Sequence, residues 1–381
     1  MNRREMVKAV LRRQASNYLP IDLGPPTSSM TLTGYNHLKQ HLNLDNHPSE
    51  IIAIDNVILR FHPEIMKQFG IDFIRIFSKP GENGGILEKL PDGTIIDEWG
   101  RQRRLYIDYQ EFVDFPLKKA TVADLENYPW PDPDDPKRVK GLEEESRYLY
   151  ENTDYVLVAD TIGGVFETAW QLRGLENFMI DLMDNVDFAL ALLERVVNYF
   201  VRFYLHYLKA IGQYVDVVVL LDDFGSQRNL MLSPETIINY ILPFEKRLID
   251  TIRQYTSARI FFHSCGSILR IIPNLIDIGV DILNPIQVSA EGMGDTKYLK
   301  KKYGKYLTFW GGIDAQFVLP FGSINDVRLE VEHRISDLSG GGGYVVASTH
   351  NIQPEVKPEN IIEMFKTACN LRERLLNKGN L

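Results

Sequence analysis

Cysteine is scarce in this chain, with only Cys265 and Cys369 among 381 residues. A secreted scaffold held by disulfide bonds needs more cysteines, in pairs, so the count excludes that class and favours a reducing compartment. No run approaches the ~18 consecutive apolar residues of a membrane-spanning helix. The first thirteen residues have the pattern of a charged amphipathic helix and lack an apolar signal core. We therefore expect a cytoplasmic protein that does not enter a membrane.

Basic residues are fewer than acidic ones: the chain has 42 Lys and Arg and 51 Asp and Glu, for a net charge of −9. Acidic runs such as 131–136 and 143–145 add local negative charge. A nucleic-acid backbone needs a basic surface, so we expect no nucleic-acid partner. Hydrophobic residues make up 44% of the chain, which is enough for a sizeable core and argues against disorder.

Eight short apolar runs predict strands. They are rich in Val, Ile, Leu and Phe without strict alternation, which is typical of a parallel sheet covered on both faces. The runs are Tyr18–Gly24, Asp72–Phe77, Tyr155–Gly163, Asp216–Asp223, Arg259–Gly266, Asp281–Gln287, Leu307–Ile313 and Gly343–His350. Helical patterns separate them, so the class is α/β. Eight strands favour a closed (β/α)8 TIM barrel over an open sheet, as one domain spanning residues 1–381.

Residues 80–150 interrupt this alternation between the second and third predicted strands. Pro91-Asp-Gly93 lies between two short β-like runs and predicts a hairpin. The region is too short and too poor in core-forming residues for an independent domain. We interpret it as an inserted cap segment that covers the mouth of the barrel.

Polar side chains follow nearly every later strand. Barrel enzymes build their active sites at the carboxyl ends of the strands, so these residues are the candidates for function. They are Asp160, Asp222, Asp223, His263, Cys265, Asn284, Gln287, Asp314 and His350.

His263 and Cys265 form the most specific pattern. Residues two apart on a strand point to the same face, so an imidazole and a thiol would project together. His350 closes another apolar run and is a candidate third ligand. Three protein ligands of this kind suit zinc and leave one position open for a substrate. The alternative is a cysteine packed in the core beside a hydrogen-bonded histidine.

Several short motifs, in order along almost the whole chain, resemble the uroporphyrinogen decarboxylase superfamily, which also contains zinc-dependent, corrinoid-linked methyltransferases. The motifs lie at 20–24, 166–174, 221–227, 263–266, 279–287, 310–316 and 350–353. The resemblance implies a (β/α)8 barrel, in agreement with the strand count.

The methyltransferase branch resembles this chain better than the decarboxylases do. In Phe77-Ser-Lys79, a lysine stands where the decarboxylases have an Asp that contacts pyrrole N–H groups. An ammonium group has donors and no acceptor, so it cannot replace that Asp. The Arg13–Pro20 run echoes a decarboxylase motif, but its second Arg is Asn17.

The methyltransferases use a His-x-Cys pair and a third ligand from a later strand, usually another cysteine. His263 and Cys265 match the pair, and the third position falls near His350, where the decarboxylases have a substrate-binding histidine. His350 is therefore either a metal ligand or a substrate contact. The implied cofactors are Zn²⁺ and a corrinoid. A partner corrinoid protein would deliver the corrinoid, because the Asp-x-His-x-x-Gly pattern of corrinoid-binding domains is absent from the sequence.

The implied reaction moves a methyl group between a small-molecule substrate, either a thiol or a methyl ether, and the corrinoid protein. Asp222, Asp223 and Glu167 are candidate catalytic residues for ligand orientation and proton transfer. The alternatives are a capping role for one of the two aspartates and a helix-start role for Glu167.

The candidate substrate-binding residues are Asp160, Asn284, Gln287, Asp314 and Gln316. Two other functions stay open at this point: a metal-free decarboxylase and a non-catalytic binding barrel.

Overall fold

A computed structural model describes residues 2–24, 27–44, 49–52, 56–81, 85–106, 109–160 and 163–378. Within them, seven parallel strands form one curled sheet in the order β13-β12-β11-β10-β9-β8-β3. These strands are β3 (Phe73–Phe77), β8 (Val156–Asp160), β9 (Val217–Leu221), β10 (Arg259–His263), β11 (Ile282–Asn284), β12 (Thr308–Ile313) and β13 (Tyr344–Ser348). The α/β class and the TIM-barrel-like arrangement are confirmed. The strands are shorter than predicted, and Thr161 and Ile162 of the third predicted run lie outside the described residues.

The first predicted strand, Tyr18–Gly24, is wrong as a strand. It contributes one bridged residue, Ile21, which pairs with Val346 of β13. The segment still lies between the two edges of the sheet, because the Asp72 amide donates to the Ile21 carbonyl and the Asp22 amide to the Val346 carbonyl. Pro20 has no N–H to donate, so the ladder cannot extend from Ile21 back toward Tyr18.

Helices lie before, between and after the strands. They are α1 (Arg3–Leu11), α2 (Leu32–His41), α3 (Pro63–Gln68), α4 (Asp124–Asn127), α5 (Leu142–Asn152), α6 (Val165–Arg173), α7 (Leu175–Asp184), α8 (Val186–Ile211), α9 (Pro234–Thr236), α10 (Leu242–Ile252), α11 (Ile272–Asp277), α12 (Thr296–Tyr303), α13 (Val318–Phe321), α14 (Ile324–Leu338) and α15 (Pro358–Lys378). A single π-helical turn, Ile237–Ile241, joins α9 to α10. None of the helices in the described part of the chain is long and apolar enough to cross a membrane.

Alternate residues of each strand enter two different hydrophobic clusters, as the two-residue period of a strand requires. The inner cluster fills the barrel with side chains such as Phe73, Phe261 and Trp310. It also contains Val7, Val10 and Leu11, so α1 closes the amino-terminal end of the barrel. The residues between them on each strand pack outward against the helices. The barrel interior is therefore a packed core.

The region inserted between β3 and β8 contains a second, four-stranded antiparallel sheet. Its strands are β4 (Ile86–Lys89), β5 (Ile95–Asp97), β6 (Gln102–Tyr106) and β7 (Tyr109–Asp114). β4 and β5 form the predicted hairpin, with Gly93 at a φ of +86° in the turn. Trp99 packs on Tyr199 and Phe200 of α8, which anchors the inserted sheet beside the barrel. That the segment covers the barrel mouth stays a prediction.

A short hairpin, β1 (Glu50–Ile52) with β2 (Val57–Arg60), precedes β3.

Candidate metal centre

His263 and Asn284, which contacts it, occupy the next inward-facing positions beyond the packed interior. His263 follows the inward residue Phe261 by two positions on β10, and Asn284 follows Ile282 by two on β11. Residues two apart share a face of a strand, so both side chains lie above the apolar core. This layer is at the carboxyl ends of the strands, where barrel folds hold their active sites.

Three potential ligand atoms converge there. The Asp223 carboxylate, His263 imidazole and Cys265 thiol offer atoms that all lie within 4.8 Å of one another. His263 Nε2 is 3.4 Å from Cys265 Sγ and 3.6 Å from Asp223 Oδ1. β10 ends at His263, so Cys265 lies in the following loop and not on the strand. The Cys265 amide donates to Asp223 Oδ1 at 2.6 Å, and this bond holds the loop against the end of β9.

The hydrogen bonds of Asn284 determine which nitrogen of His263 carries the proton. Asn284 Nδ2 donates to the Trp310 carbonyl at 2.9 Å, so Asn284 Oδ1 faces His263 Nδ1. Because an amide oxygen can only accept, Nδ1 carries the proton and donates. In the neutral imidazole, Nε2 then presents its lone pair to Cys265 and Asp223, as a metal-binding imidazole must.

Asn284 should accordingly tune metal affinity without being a ligand. We expect Asn284→Leu to weaken zinc binding by about 10- to 100-fold, since the imidazole loses its acceptor and its fixed orientation. Asn284→Asp keeps an acceptor facing Nδ1, and should stay within about threefold of the wild-type protein. Competition with a chromophoric chelator measures both affinities. Equal losses in the two variants would contradict this role of Asn284.

The Cys265 thiol is not arranged as a free nucleophile. Burial, together with the nearby Asp223 and Glu167 carboxylates, raises the pKa of this thiol well above its usual range. Reactive cysteines have the opposite environment, with cationic neighbours that lower the thiol pKa. A bound divalent cation reverses that balance, because it favours the thiolate. The surroundings of Cys265 therefore suit a metal ligand.

His350 and Glu167 lie beside this cluster. The rings of His263 and His350 have centroids 6.4 Å apart, at an interplanar angle of 59°. His350 is exposed two residues beyond β13, while Glu167 is half-buried in the first turn of α6. The structure brings both to the site, where Asp223 also lies with His263 and Cys265. The roles assigned to His350 and Glu167 stay predictions.

Asp222 points away from the cluster, toward the helices. Its two carboxylate oxygens accept from the amides of Phe166 and Glu167 at 2.8 and 2.6 Å, so it caps the start of α6. Burial and the neighbouring Glu245 carboxyl of α10 raise the pKa of Asp222 well above its usual range. The catalytic role predicted for Asp222 stays a prediction, and its contacts are those of a capping residue.

Gly164 allows α6 to approach the end of β9 this closely. A Cβ atom at this position would overlap the Leu221 carbonyl oxygen and the Asp222 carboxylate. The first turn of α6, which carries Glu167, is thus fixed to the strand that leads to Asp223.

Asp160 belongs to a buried ion-pair network. Arg75 binds both oxygens of Asp22, at 2.6 and 2.8 Å, and its Nε lies 3.5 Å from Asp160 Oδ2. The Trp310 indole donates to Asp22 at 3.0 Å. Arg75 follows the inward-facing Phe73 by two positions and Asp160 follows Val158 by two, so both face the barrel interior. The substrate-binding role predicted for Asp160 stays a prediction.

The remaining predicted residues form amide contacts at the rim. Gln287 accepts from the Gly266 amide at 2.7 Å, which supports the loop after Cys265. Gln316 Oε1 accepts from Gln227, Gln287 and Ser289, and Asp314 accepts from the Gln316 and Phe317 amides. The structure therefore brings Gln287 and Gln316 together. Asp314 organises the turn before α13.

Three residues that interact with the predicted site residues were not themselves predicted from the sequence. Asp22 and Arg75 form the ion pair with Asp160, and Glu245 faces Asp222 from the middle of the chain. Asp22 lies in the sequence motif at 20–24, which indicated the family but gave Asp22 no role. Glu245 occupies a helical pattern and carries no sequence signal.

The barrel and the cluster at the strand ends define an α/β barrel with an enzyme-like site. Comparison with known sequences agrees: the family model described as Uroporphyrinogen decarboxylase (URO-D) matches residues 106–371, more than half of the chain. The chain belongs to the URO-D family. No curated protein matches the sequence.

A solved methyltransferase structure shares the fold. A methyltransferase from Methanosarcina mazei is 16% identical and superposes with a TM-score of 0.66, over 97% of this chain and 99% of that chain. A GH113 β-1,4-mannanase is 9% identical with a TM-score of 0.40, over 92% and 99% of the two chains. A β-glucosidase from Pyrococcus furiosus is 14% identical with a TM-score of 0.38, over 82% and 84%.

Proposed function

We propose that this protein is a zinc-dependent methyltransferase that moves a methyl group between a small molecule and a corrinoid protein. The observation that carries the proposal is the convergence of Asp223, His263 and Cys265, with the lone pair of His263 Nε2 aimed at the other two. Membership of the URO-D family and the fold of a methyltransferase support an enzyme of this kind.

The donor set fits zinc. Thiolate and imidazole are preferred zinc ligands, a carboxylate oxygen is an accepted third, and three protein ligands are typical of catalytic sites. His263 and Cys265 would hold the ion, with Asp223 or His350 as the third ligand. When bound, zinc supplies Lewis acidity at an open position, suited to a thiol or to an ether oxygen.

The chain's own residues would prepare this site. Asn284 fixes the imidazole of His263, and Asp223 holds the amide of Cys265. Glu167 lies close enough to Cys265 to raise the pKa of its thiol. We therefore assign Glu167 as the group that accepts the proton of a thiol substrate or donates a proton to a leaving alkoxide. The exposed His350 imidazole faces the same space and would contact the substrate if it is not a ligand.

The experiment is a metal analysis followed by a methyl-transfer assay. We expect about one zinc ion per purified chain, removable by a chelator. The metal-loaded protein should transfer the methyl group of methylcobalamin to a small thiol, which the absorbance of cob(I)alamin reports. The chelated protein should be inactive until zinc is restored.

A metal-free protein that consumes uroporphyrinogen III would instead establish a decarboxylase. A protein that binds no metal and performs neither reaction would support the remaining alternative, a non-catalytic binding barrel.

A further inference from the structure

A cavity of about 360 Å³ lies where the inserted sheet meets the barrel. Its wall includes the end of β3 at Phe77 and Ser78, the β1–β2 hairpin and one face of α8. We call it the β3 cavity. Its volume is at the lower end of the range for small-molecule pockets, so it suits a ligand built on one ring.

Aromatic side chains form much of its wall. Trp99 lies edge-on to Tyr199, with ring centroids 4.5 Å apart, and more nearly parallel to Phe200, at 6.2 Å and 29°. Phe77 and Phe203 also line the space. Rings that are already packed against one another are rigid, and they favour a flat aromatic ligand by stacking and edge contacts.

The charges around the cavity are predominantly positive. Four basic side chains line it, Lys79, Arg101, Arg103 and Arg138, against the two acidic side chains of Asp97 and Glu98.

The acidic residues are already engaged by arginines. Arg138 binds both oxygens of Glu98, and Arg101 binds Asp97 at 2.7 Å, with Arg103 3.4 Å from the same carboxylate. Lys79 is exposed, and no hydrogen bond or ion pair joins its ammonium to another of the residues that the structure describes. The cavity therefore has a positive charge to offer a ligand.

An aromatic pocket can also hold a quaternary ammonium group, but the cationic side chains of this cavity oppose such a ligand. The guanidinium of Arg101 lies 5.8 Å from the ring centre of Trp99, and that of Arg138 lies 5.8 Å from the ring centre of Tyr199. These cations occupy the ring faces that a cationic ligand would need, and Lys79 would repel it. The charge balance favours an anion.

We propose that the β3 cavity binds a small aromatic carboxylate, with its ring among the aromatic side chains and its carboxylate at Lys79. Binding at the cavity is independent of the metal. The further step, that such a compound carries the methyl group as an aryl methyl ether, rests on the proposed function. The cavity adjoins the start of α6, because Phe200 lies against Gly163, just before the helix that carries Glu167.

The test is calorimetric titration of the purified protein with 4-methoxybenzoate. We expect a dissociation constant below about 1 mM. Lys79→Met should weaken binding at least about tenfold, since a charge-assisted hydrogen bond is lost. The matched control is Lys140→Met, an exposed lysine of the same region that does not line the cavity, which should bind as the wild-type protein does.

Two further probes test the chemistry. The uncharged 4-methoxybenzamide should bind at least about tenfold more weakly than the carboxylate, and a 4-methoxyphenyl trimethylammonium salt should not bind. Equal binding of the carboxylate and the amide, tighter binding of the cation, or equal losses in Lys79→Met and Lys140→Met would each overturn the assignment.

Repeating the titration with Cys265→Ser separates this proposal from the metal proposal. We expect the affinity for 4-methoxybenzoate to stay within about threefold, because Cys265 does not line the cavity. A protein that binds zinc and methylates a thiol, yet does not bind the carboxylate, would overturn only the cavity assignment. Binding of the carboxylate by a protein without zinc would support the cavity and overturn the metal centre.

Discussion

Cys265→Ser should lose its zinc and its methyl-transfer activity together. A serine hydroxyl is a poor zinc ligand at neutral pH, whereas the thiolate is one of the strongest. Loss of a ligand should cost more than the 10- to 100-fold typical of an outer-shell residue, so we expect metal affinity to fall at least about 100-fold. We expect the rate of methyl transfer to fall at least about 1,000-fold, since several kcal/mol of charge stabilisation would be lost. Metal analysis after dialysis and the cobalamin assay measure the two effects.

The chain provides its own control in Cys369→Ser. Cys369 lies in α15, where its thiol contacts the Phe69 carbonyl and the Arg372 side chain, far along the chain from the cluster. This variant should keep its zinc and its activity. Full zinc occupancy in Cys265→Ser, or equal losses in the two variants, would contradict the metal centre.

Arg75→Met should destabilise the protein by about 3–5 kcal/mol at neutral pH. Arg75 and Asp22 are almost fully buried, with side-chain exposures of 3% and 0%, and Asp160 is exposed by 1%. Removal of the guanidinium takes the counter-charge from the buried Asp22 carboxylate, and this is the costly way to break a buried ion pair. Urea unfolding, followed by tryptophan fluorescence, measures the loss.

The pH dependence of that loss identifies its cause. Burial disfavours a carboxylate that has lost its counter-charge, so the native state of the variant should bind more protons than its unfolded state. Stability of the variant therefore falls as pH rises through the carboxyl range, and the gap from the wild-type protein should be smaller at pH 5 than at pH 7.

The control for Arg75→Met is Arg104→Met, which removes an exposed ion pair with Asp92 on the inserted sheet. It should change stability by less than about 1 kcal/mol. A loss in Arg75→Met that is equally small, or independent of pH, would contradict the role of the network.

The sequence predicted the barrel well because apolar runs and helical periodicity are local signals. Seven of the eight predicted strands are present, and they follow one another in the sheet in chain order. The eighth, Tyr18–Gly24, has the right composition but forms a bridge at Ile21, and the missing N–H of Pro20 stops the ladder on the Tyr18 side of that bridge. The extent of the inserted sheet was not predicted beyond its first hairpin, because β6 and β7 are short and carry exposed charges.

The site was predicted less completely. Asp222 and Asp223 are neighbours in sequence, but they lie on opposite faces at the end of β9, so one caps a helix and the other joins His263 and Cys265. The two-residue period, continued from Val217 and Val219, places Asp223 on the inner side and could have distinguished the two. The contacts of Glu245 and Arg75 depend on long-range packing, for which a single sequence contains no direct signal.

The filled interior of the barrel limits the directions from which molecules can reach the site. In the part of the chain that the structure describes, Phe73, Phe261 and Trp310 occupy the centre and α1 closes the far end, which leaves no route through the barrel to the cluster. Everything that reaches Cys265 must arrive and depart by the same opening. Under the proposed function, the small methyl donor or acceptor and the corrinoid protein would therefore have to approach Cys265 from the same side.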